Sequence, residues 1–448
     1  MIVALGILHL IVLGLPLALI LDRALRGGQL IGTSFLLGSG LIAFILLGLS
    51  LTGVPWTSLT VAVSALITFV GSVMMLRQLV PAEPREQMIP GGTATDRAAA
   101  WVVDALLALV VIGHGFFATL APISEWDFWA IWGLKGRVFL EHRGIDWAFL
   151  ESPFNAFNHP DYPLLLPLQY VFMNLLQGGW EDRMIGLVST AFGAAILLIV
   201  RSLFRDELRS HLLAALATLG LARIALSSWV GIAEGVLIAF IAAALLLLRR
   251  GIAQDDRGAF NTGAVMLGLA AFSKNEGISM LVAVIAALVL SEPRHWKKVL
   301  RLWPAVVIPL PWIFLRAIHA LPTDLASGPI LERVGRQLGN LGAVAAALSA
   351  NMPNNLLFWI GALLVIALFA SHLRSADRFV VVAIGIQTLF YVCAYVITPN
   401  EINWHVSTSW VRLLNQIALP LGFCALVLAA LVLKKRPDGL QIQEPIHE

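Results

Sequence analysis

Charge is what this chain has least of. Of its 448 residues 13% are Asp, Glu, Lys or Arg and 59% are hydrophobic, with a mean hydropathy of +0.85. A water-soluble core cannot hide that much apolar surface, so a polytopic membrane protein is expected. Cysteine is nearly absent: Cys393 and Cys424 both lie in apolar segments, which argues against a disulfide framework or a cysteine-based zinc site. No basic segment precedes the first apolar run, Ile2 to Leu21, so this run is expected to be a true span rather than a cleaved leader. There is no long polar domain, no internal repeat and no low-complexity tract, and a net charge of +3 suggests no nucleic-acid partner. Chemistry must therefore sit in the membrane part or its loops.

Apolar stretches long enough to cross a bilayer occur at about 2–21, 31–51, 57–80, 99–120, 183–200, 211–228, 229–248, 299–318, 355–371, 379–397 and 412–433. Basic residues mark one side: Arg23 and Arg26, Arg201, Arg205 and Arg209, Arg249 and Arg250, Lys297 and Lys298, Arg374 and Arg378, Lys434 to Arg436. These connections are expected to be cytoplasmic. Parity then requires the stretch 259–290, interrupted by Lys274-Asn275-Glu276-Gly277, to cross an even number of times. Two short helices would do so, with Lys274 and Glu276 near the outer face. The segment 163–177 is expected to be a short or re-entrant outer helix. The fold class is thus all-α, a polytopic transmembrane helical protein of about 13 spans, N-terminus outside and C-terminus inside. Three parts are expected: a three-span module with a cytoplasmic linker (1–97, the linker spanning Pro81 to Asp96), a catalytic module (98–291) and a C-terminal module (292–448). Outer loops fall at 121–162, 319–353 and 398–411.

What polar sequence there is concentrates in the first of those loops. It begins Ser124-Glu125-Trp126-Asp127-Phe128-Trp129 and ends Asn158-His159-Pro160-Asp161-Tyr162-Pro163. Residues 125–140 can form an interfacial amphipathic helix, with Phe128, Trp129, Ile131, Trp132, Val138 and Phe139 on one side and Glu125, Asp127, Lys135, Arg137 and Glu141 on the other. A partly desolvated carboxylate at the end of a span, Asp127 or Glu125, is a candidate general base for an alcohol. Prolines on either side of Asp161 hold it in a defined loop, as a site acid or as a cap for the next helix. His159 could bind a phosphate or pack at the interface.

Further candidates lie far off in the chain. Glu234 stands about 10 Å into its span, where an unpaired carboxylate is costly. Lys274 could pair with Glu276 or meet an anion. Arg412 opens the last span on the outer side, against the charge rule, and its fork suits phosphate oxygens. Trp404 and His405 precede it. These groups gather on one membrane face, whereas a channel would show rings or stripes along several spans.

The acidic pair after an early span, the amphipathic helix, His-Pro-Asp-Tyr-Pro at 159–163, Glu234, and Leu269 to Gly277 (Leu-Ala-Ala-Phe-Ser-Lys-Asn-Glu-Gly) together resemble the C-type integral-membrane glycosyltransferases. Within these, the match is to the protein O-mannosyltransferase and aminoarabinose-transferase group. The resemblance covers about residues 99–290, and the Trp404-His405…Arg412 segment is like the last outer loop of bacterial relatives. It implies an inverting transfer of a sugar from a polyprenyl-phosphate lipid, on the periplasmic or lumenal side, to an acceptor hydroxyl on a lipid, polysaccharide or protein. The expected location is a bacterial inner or plasma membrane with the site facing the periplasm or exterior. It implies Asp127 or Glu125 as base, Glu234 as a second cavity acid, and Lys274 and Arg412 facing the carrier phosphate. His159, Asp161, His405, Lys135 and Glu276 complete the substrate-binding candidates. The sequence departs from the pattern in its three extra spans, in the spacing Glu125-x-Asp127 in place of adjacent acids, and in lacking a large C-terminal soluble domain. A divalent cation, Mg2+ or Mn2+, could be held by Glu125, Asp127 and Glu234, though no metal site is assigned. The rival expectation is a transporter or flippase of a lipid-linked sugar. Such a protein would place its site at the midplane between broken helices.

Overall fold

The computed structural model describes residues 2–79, 93–121, 123–227, 231–291, 293–323, 330–339 and 341–434. Most of the linker expected over Pro81 to Asp96, part of the loop 319–353, and the basic residues Lys435 and Arg436 lie outside these. Helices are the regular structure of the described residues, with no strand among them. In chain order the helices are α1 (Ile2–Leu21), α2 (Gly27–Leu51), α3 (Ser58–Gln78), α4 (Ala94–Leu120), α5 (Gly133–His142), α6 (Trp147–Glu151) and α7 (Leu165–Gln177). They continue as α8 (Asp182–Leu208), α9 (His211–Ala225), α10 (Glu234–Ala253), α11 (Arg257–Ala271), α12 (Asn275–Ser291) and α13 (Trp303–Val307). The last are α14 (Leu310–Ile318), α15 (Ile330–Leu338), α16 (Leu341–Ala350), α17 (Leu356–Leu368), α18 (Ser375–Val396) and α19 (Ile402–Lys434). Eight of them (α1–α4, α8, α10, α18 and α19) are long and apolar enough to cross a bilayer. Lys297–Val307 and Leu310–Ile318 make a ninth if that pair, bent by 51° where Pro309 and Pro311 interrupt it, is one span.

Polar residues placed just ahead of the apolar runs start several of these helices. Thr57 and Thr60 form a reciprocal capping box at α3, and Thr93, Ser210 and Asp256 cap α4, α9 and α11 through their side chains. Helix α10 is apolar on every side and buried on every side, packed among α8, α11, α18 and α19. It is the axis of the bundle and carries Glu234 at one end and Arg249 at the other.

Around Arg249 sits a four-membered ion lattice. Arg249 pairs with Glu207 at 2.7 Å and with Asp377 at 2.6 Å, and Arg374 meets the same two acids at 3.0 and 2.8 Å. Two guanidinium forks against two carboxylates leave no net charge, and the lattice ties α8, α10 and α18 at the arginine-rich end. The opposite end carries the loop between α4 and α7.

Two features set the depth of that loop end. Helices α11 and α12 form a hairpin of 15 and 17 residues, and Gly277 lets it close, since a Cβ there would lie 2.1 Å from the Ala270 carbonyl oxygen. At 1.5 Å per residue α11 rises only about 22 Å, so Lys274 at the turn stops inside the bundle, short of the far surface. Helix α7, at 13 residues, lies against α2: Gln169 donates to the Ser39 carbonyl at 2.7 Å, and Ser58 Oγ donates to the Leu175 carbonyl at 3.0 Å. Residues Tyr162 to Leu164 therefore enter the bundle from the loop end and α7 carries the chain back toward that end.

Helices α1 and α2 are part of the same bundle, with α2 against α7 and α8. They cross at glycine: a Cβ on Gly38 would stand 1.9 Å from the Leu10 carbonyl oxygen, and one on Gly14 would stand 2.0 Å from that of Ser34. We expect Gly38→Val to force the two helices apart and cost about 3 kcal/mol or more, because the obstacle is backbone. Gly48 is the control, since a Cβ added there would meet nothing within 4 Å. Gly48→Ala is expected to leave the protein as stable or slightly more so, as helix propensity predicts. Thermal unfolding of the detergent-purified variants checks both, and equal melting points would refute the close crossing.

Candidate functional site

The loop that follows α4 opens with Glu125 and Trp126 exposed to solvent. A π-helical turn, Phe128–Trp132, then runs into α5, and such an extra residue per turn shifts which side chains face inward. Phe128, Ile131, Trp132 and Phe139 are buried, while Arg137 and Glu141 pair on the exposed side at 3.0 Å. The expected amphipathic segment is therefore present in two pieces. Asp127, immediately before the π turn, is half-buried and faces the bundle.

What it faces is a chain of alternating charges. Arg412 Nη2 donates to Asp127 Oδ2 at 2.5 Å and to Glu234 Oε1 at 2.6 Å, and Arg412 Nε donates to the same Glu234 oxygen at 2.9 Å. Lys274 Nζ lies 2.8 Å from Glu234 Oε1 and 2.8 Å from Glu276 Oε1. Glu234 is 1% exposed and Lys274 5% exposed, so both ions are held by each other rather than by water. Arg412 remains about one-third open, and among the described residues its Nη1 makes no hydrogen bond. Asp127 Oδ1 and Glu276 Oε2 are likewise without a partner among the described residues.

Beside this chain the turn Asn158 to Pro163 is pinned from three directions. From α5, buried Lys135 donates to the His159 carbonyl at 2.5 Å. From α12, Asn275 Nδ2 donates to Asp161 Oδ2 at 2.9 Å. From α14, Trp312 Nε1 donates to the Asp161 carbonyl at 3.1 Å and Arg316 approaches Asp161 Oδ2 at 3.8 Å. The Tyr162 ring is sandwiched between His159, at 4.6 Å, and Trp132, at 5.4 Å. His159 takes a left-handed backbone conformation, φ +50°, to make this turn. His405 stands two helical turns before Arg412, hydrogen-bonded to Thr398 at 2.8 Å and edge-on to Tyr395.

The candidates from the sequence thus fall into distinct places. Asp127, Glu234, Lys274, Glu276 and Arg412 form one cluster, Asp161 and His159 adjoin it through the turn, and His405 stands apart from it, about two turns along α19 against Thr398 and Tyr395. Lys135 uses its ammonium on the backbone of that turn. Glu125 points away into solvent. Arg316, Trp312 and Tyr395 join the site without having been singled out by the sequence. Arg316, in the last turn of α14, carries a similar signal, a lone arginine in an apolar segment, whereas Arg412, expected to open its span, lies about three turns into α19. Among the described residues no three His, Cys, Asp or Glu side chains are arranged for a metal, and Arg412 stands between Asp127 and Glu234 where a shared cation would sit. The trio Glu125, Asp127 and Glu234 therefore does not fit a divalent ion.

Burial pushes the Lys135 ammonium down to about 7, with the Asp161 carboxylate opposing the shift only in part. An unfolded lysine titrates near 10.4, so between these values the unfolded chain holds a proton that the folded chain has released. Stability is therefore expected to rise with pH from about 7 upward, by about 1 kcal/mol per pH unit. Lys135→Met should lack that slope. Denaturation of the two proteins from pH 6 to 9.5 measures it, and parallel curves would show that Lys135 stays charged when buried.

Residues 158–317 match the family model described as dolichyl-phosphate-mannose-protein mannosyltransferase. The matched stretch begins in the pinned turn and includes Asp161, Glu234, Lys274, Glu276 and Arg316. Asp127 and Arg412, which complete the cluster, lie outside it. No curated protein and no solved structure matches the chain. Over these residues, about a third of the chain, the protein is similar to that family of membrane glycosyltransferases.

Proposed function

We propose that the protein is an inverting glycosyltransferase whose site opens on the non-cytoplasmic side of the membrane, with Asp127 as general base. One observation carries this reading: acids and cations 178 and 285 residues apart in sequence converge on Arg412 at the loop end of the bundle. The arginine-rich connections lie at the other end, which by the charge rule is cytoplasmic.

In this reading each group has a task. The carrier phosphate takes the open donors of Arg412, with Lys274 behind it, in a partly dry site where such charges could contribute several kcal/mol. Glu234 keeps both cations in place when no substrate is bound. Asp127 has one oxygen held by Arg412 and the other without a partner among the described residues, which leaves the latter for an acceptor arriving from the aqueous loop side. The acceptor hydroxyl attacks the anomeric carbon from the face opposite the phosphate, and its proton passes to Asp127. The bond from C1 to the phosphate oxygen breaks and polyprenyl phosphate leaves with the electron pair. Positive charge on the sugar ring develops in between, as in glycoside hydrolysis.

The test uses the purified protein in lipid nanodiscs with polyprenyl-phosphate mannose as first donor. Released polyprenyl phosphate, with the sugar on an acceptor, is the expected product, whereas a flippase would return the donor intact. Asp127→Asn should reduce turnover about 100-fold or more without shifting the melting point. Near-normal transfer by that variant would remove Asp127 from the role.

A further inference from the structure

The Tyr162 hydroxyl belongs to the pinned turn, beside the charged cluster, yet the cluster's ion pairs do not use it. Its ring is clamped on both faces, by His159 and by Trp132, so it cannot serve as a platform on which a sugar stacks. The clamp has a different consequence: it fixes where the hydroxyl points. The Asp161–Asn275 hydrogen bond draws this turn against the Lys274–Glu276 corner. The charges of Glu276, Lys274, Asp161 and Asp127 all act on the phenol, and burial together with Glu276 raises its pKa, so it remains an O–H donor. Among the described residues it donates to nothing. Close by, Glu276 Oε2 is an acceptor without a partner among the described residues, its other oxygen being held by Lys274.

A fixed neutral donor beside a free carboxylate oxygen suits one kind of group. A phosphate oxygen only accepts, and Glu276 would repel it. A sugar hydroxyl both accepts and donates, and can satisfy both at once. The place adjoins the phosphate-binding cations of the proposed mechanism, since Glu276 holds Lys274 and Asn275 holds the turn that carries Tyr162. We propose that Tyr162 and Glu276 form a recognition site for a single hydroxyl of the transferred sugar, Tyr162 donating to it and Glu276 accepting from it. The proposal rests on the glycosyl-transfer reading above and adds to it the means by which donor sugars are told apart. A site built to hydrogen-bond a hydroxyl discriminates strongly against an analogue that lacks it, because its own polar groups are then left unpaired.

The experiment is a cycle between enzyme and substrate. Polyprenyl-phosphate mannose and its analogues deoxygenated singly at C2, C3, C4 or C6 are offered to the wild type, to Tyr162→Phe and to Glu276→Gln, with kcat and KM measured for each. Tyr162→Phe retains the ring sandwich, so its melting point is expected to equal that of the wild type. At one ring position the deoxy donor should lose about 100-fold in kcat/KM with the wild type. With Tyr162→Phe the intact donor should lose about 10-fold or more, and removing that hydroxyl should then cost little further. Glu276→Gln should show the same coupling at the same position and at no other. Additive losses at every position, or an unchanged donor preference in Tyr162→Phe, would overturn the subsite while wild-type release of polyprenyl phosphate keeps the transfer reading. Absence of any release by the wild type would overturn both.

Discussion

Glu234 is the residue on which the rest of the site depends. Its carboxylate is buried at the first turn of the most buried helix, and one oxygen is shared by Lys274 and Arg412. Either cation alone in that position would face a desolvation cost of several kcal/mol, and two together would repel. With the carboxylate between them they can be held close, poised and partly open. The arrangement holds two cations at the loop end of an apolar bundle, with Glu234 between them and Asp127 and Glu276 on either side.

Holding a carboxylate there makes demands on the scaffold. Helix α10 must keep its axial position, and the ion lattice around Arg249 fixes its far end to α8 and α18. The α11–α12 hairpin must turn below the surface, which Gly277 permits by letting one helix lie directly on the end of the other. Arg412 must come from α19, whose next turns pack along α10. Each of these is a packing or ion-pairing constraint on helices, and none involves the loop. The loop contributes Asp127 and the turn at Asp161, and it is locked by bonds to backbone carbonyls from Lys135 and Trp312. Helices thus position Glu234, Lys274 and Arg412 while a pinned loop positions Asp127, so the two parts of the cluster have separate supports.

Much of this is legible in the sequence because a membrane makes polar residues conspicuous. Where the background is apolar, a glutamate inside an apolar run or a lone arginine on the wrong side of the charge rule has few structural explanations. That is why Glu234, Lys274 and Arg412 stand out from residue types and spacing alone. The helix expected over 229–248 in fact begins at Glu234, which therefore sits at its first turn. Lys135 carries the same outward sign, a charge on the polar side of an amphipathic segment, yet its ammonium is buried on a carbonyl. The π turn at Phe128–Trp132 rotates the helix that carries it, and nothing in the residue types announces a π turn. Likewise the pair Glu125 and Asp127 could not be resolved by spacing, since on a helix end both lie within reach of a cavity. Only the direction of the chain as it leaves α4 sends one inward and the other into solvent.

The sequence by itself determined the class of protein, the apolar segments, the sidedness of the charges and the small set of acids and bases available for chemistry. These follow from hydrophobicity and charge, which act locally and sum along a segment. Tertiary structure alone decided which of those groups meet. Contact between Asp127, Glu234 and Arg412 depends on the angles and depths at which separate helices pack. Those depend in turn on glycine approaches and ion pairs between residues far apart, which no single segment encodes.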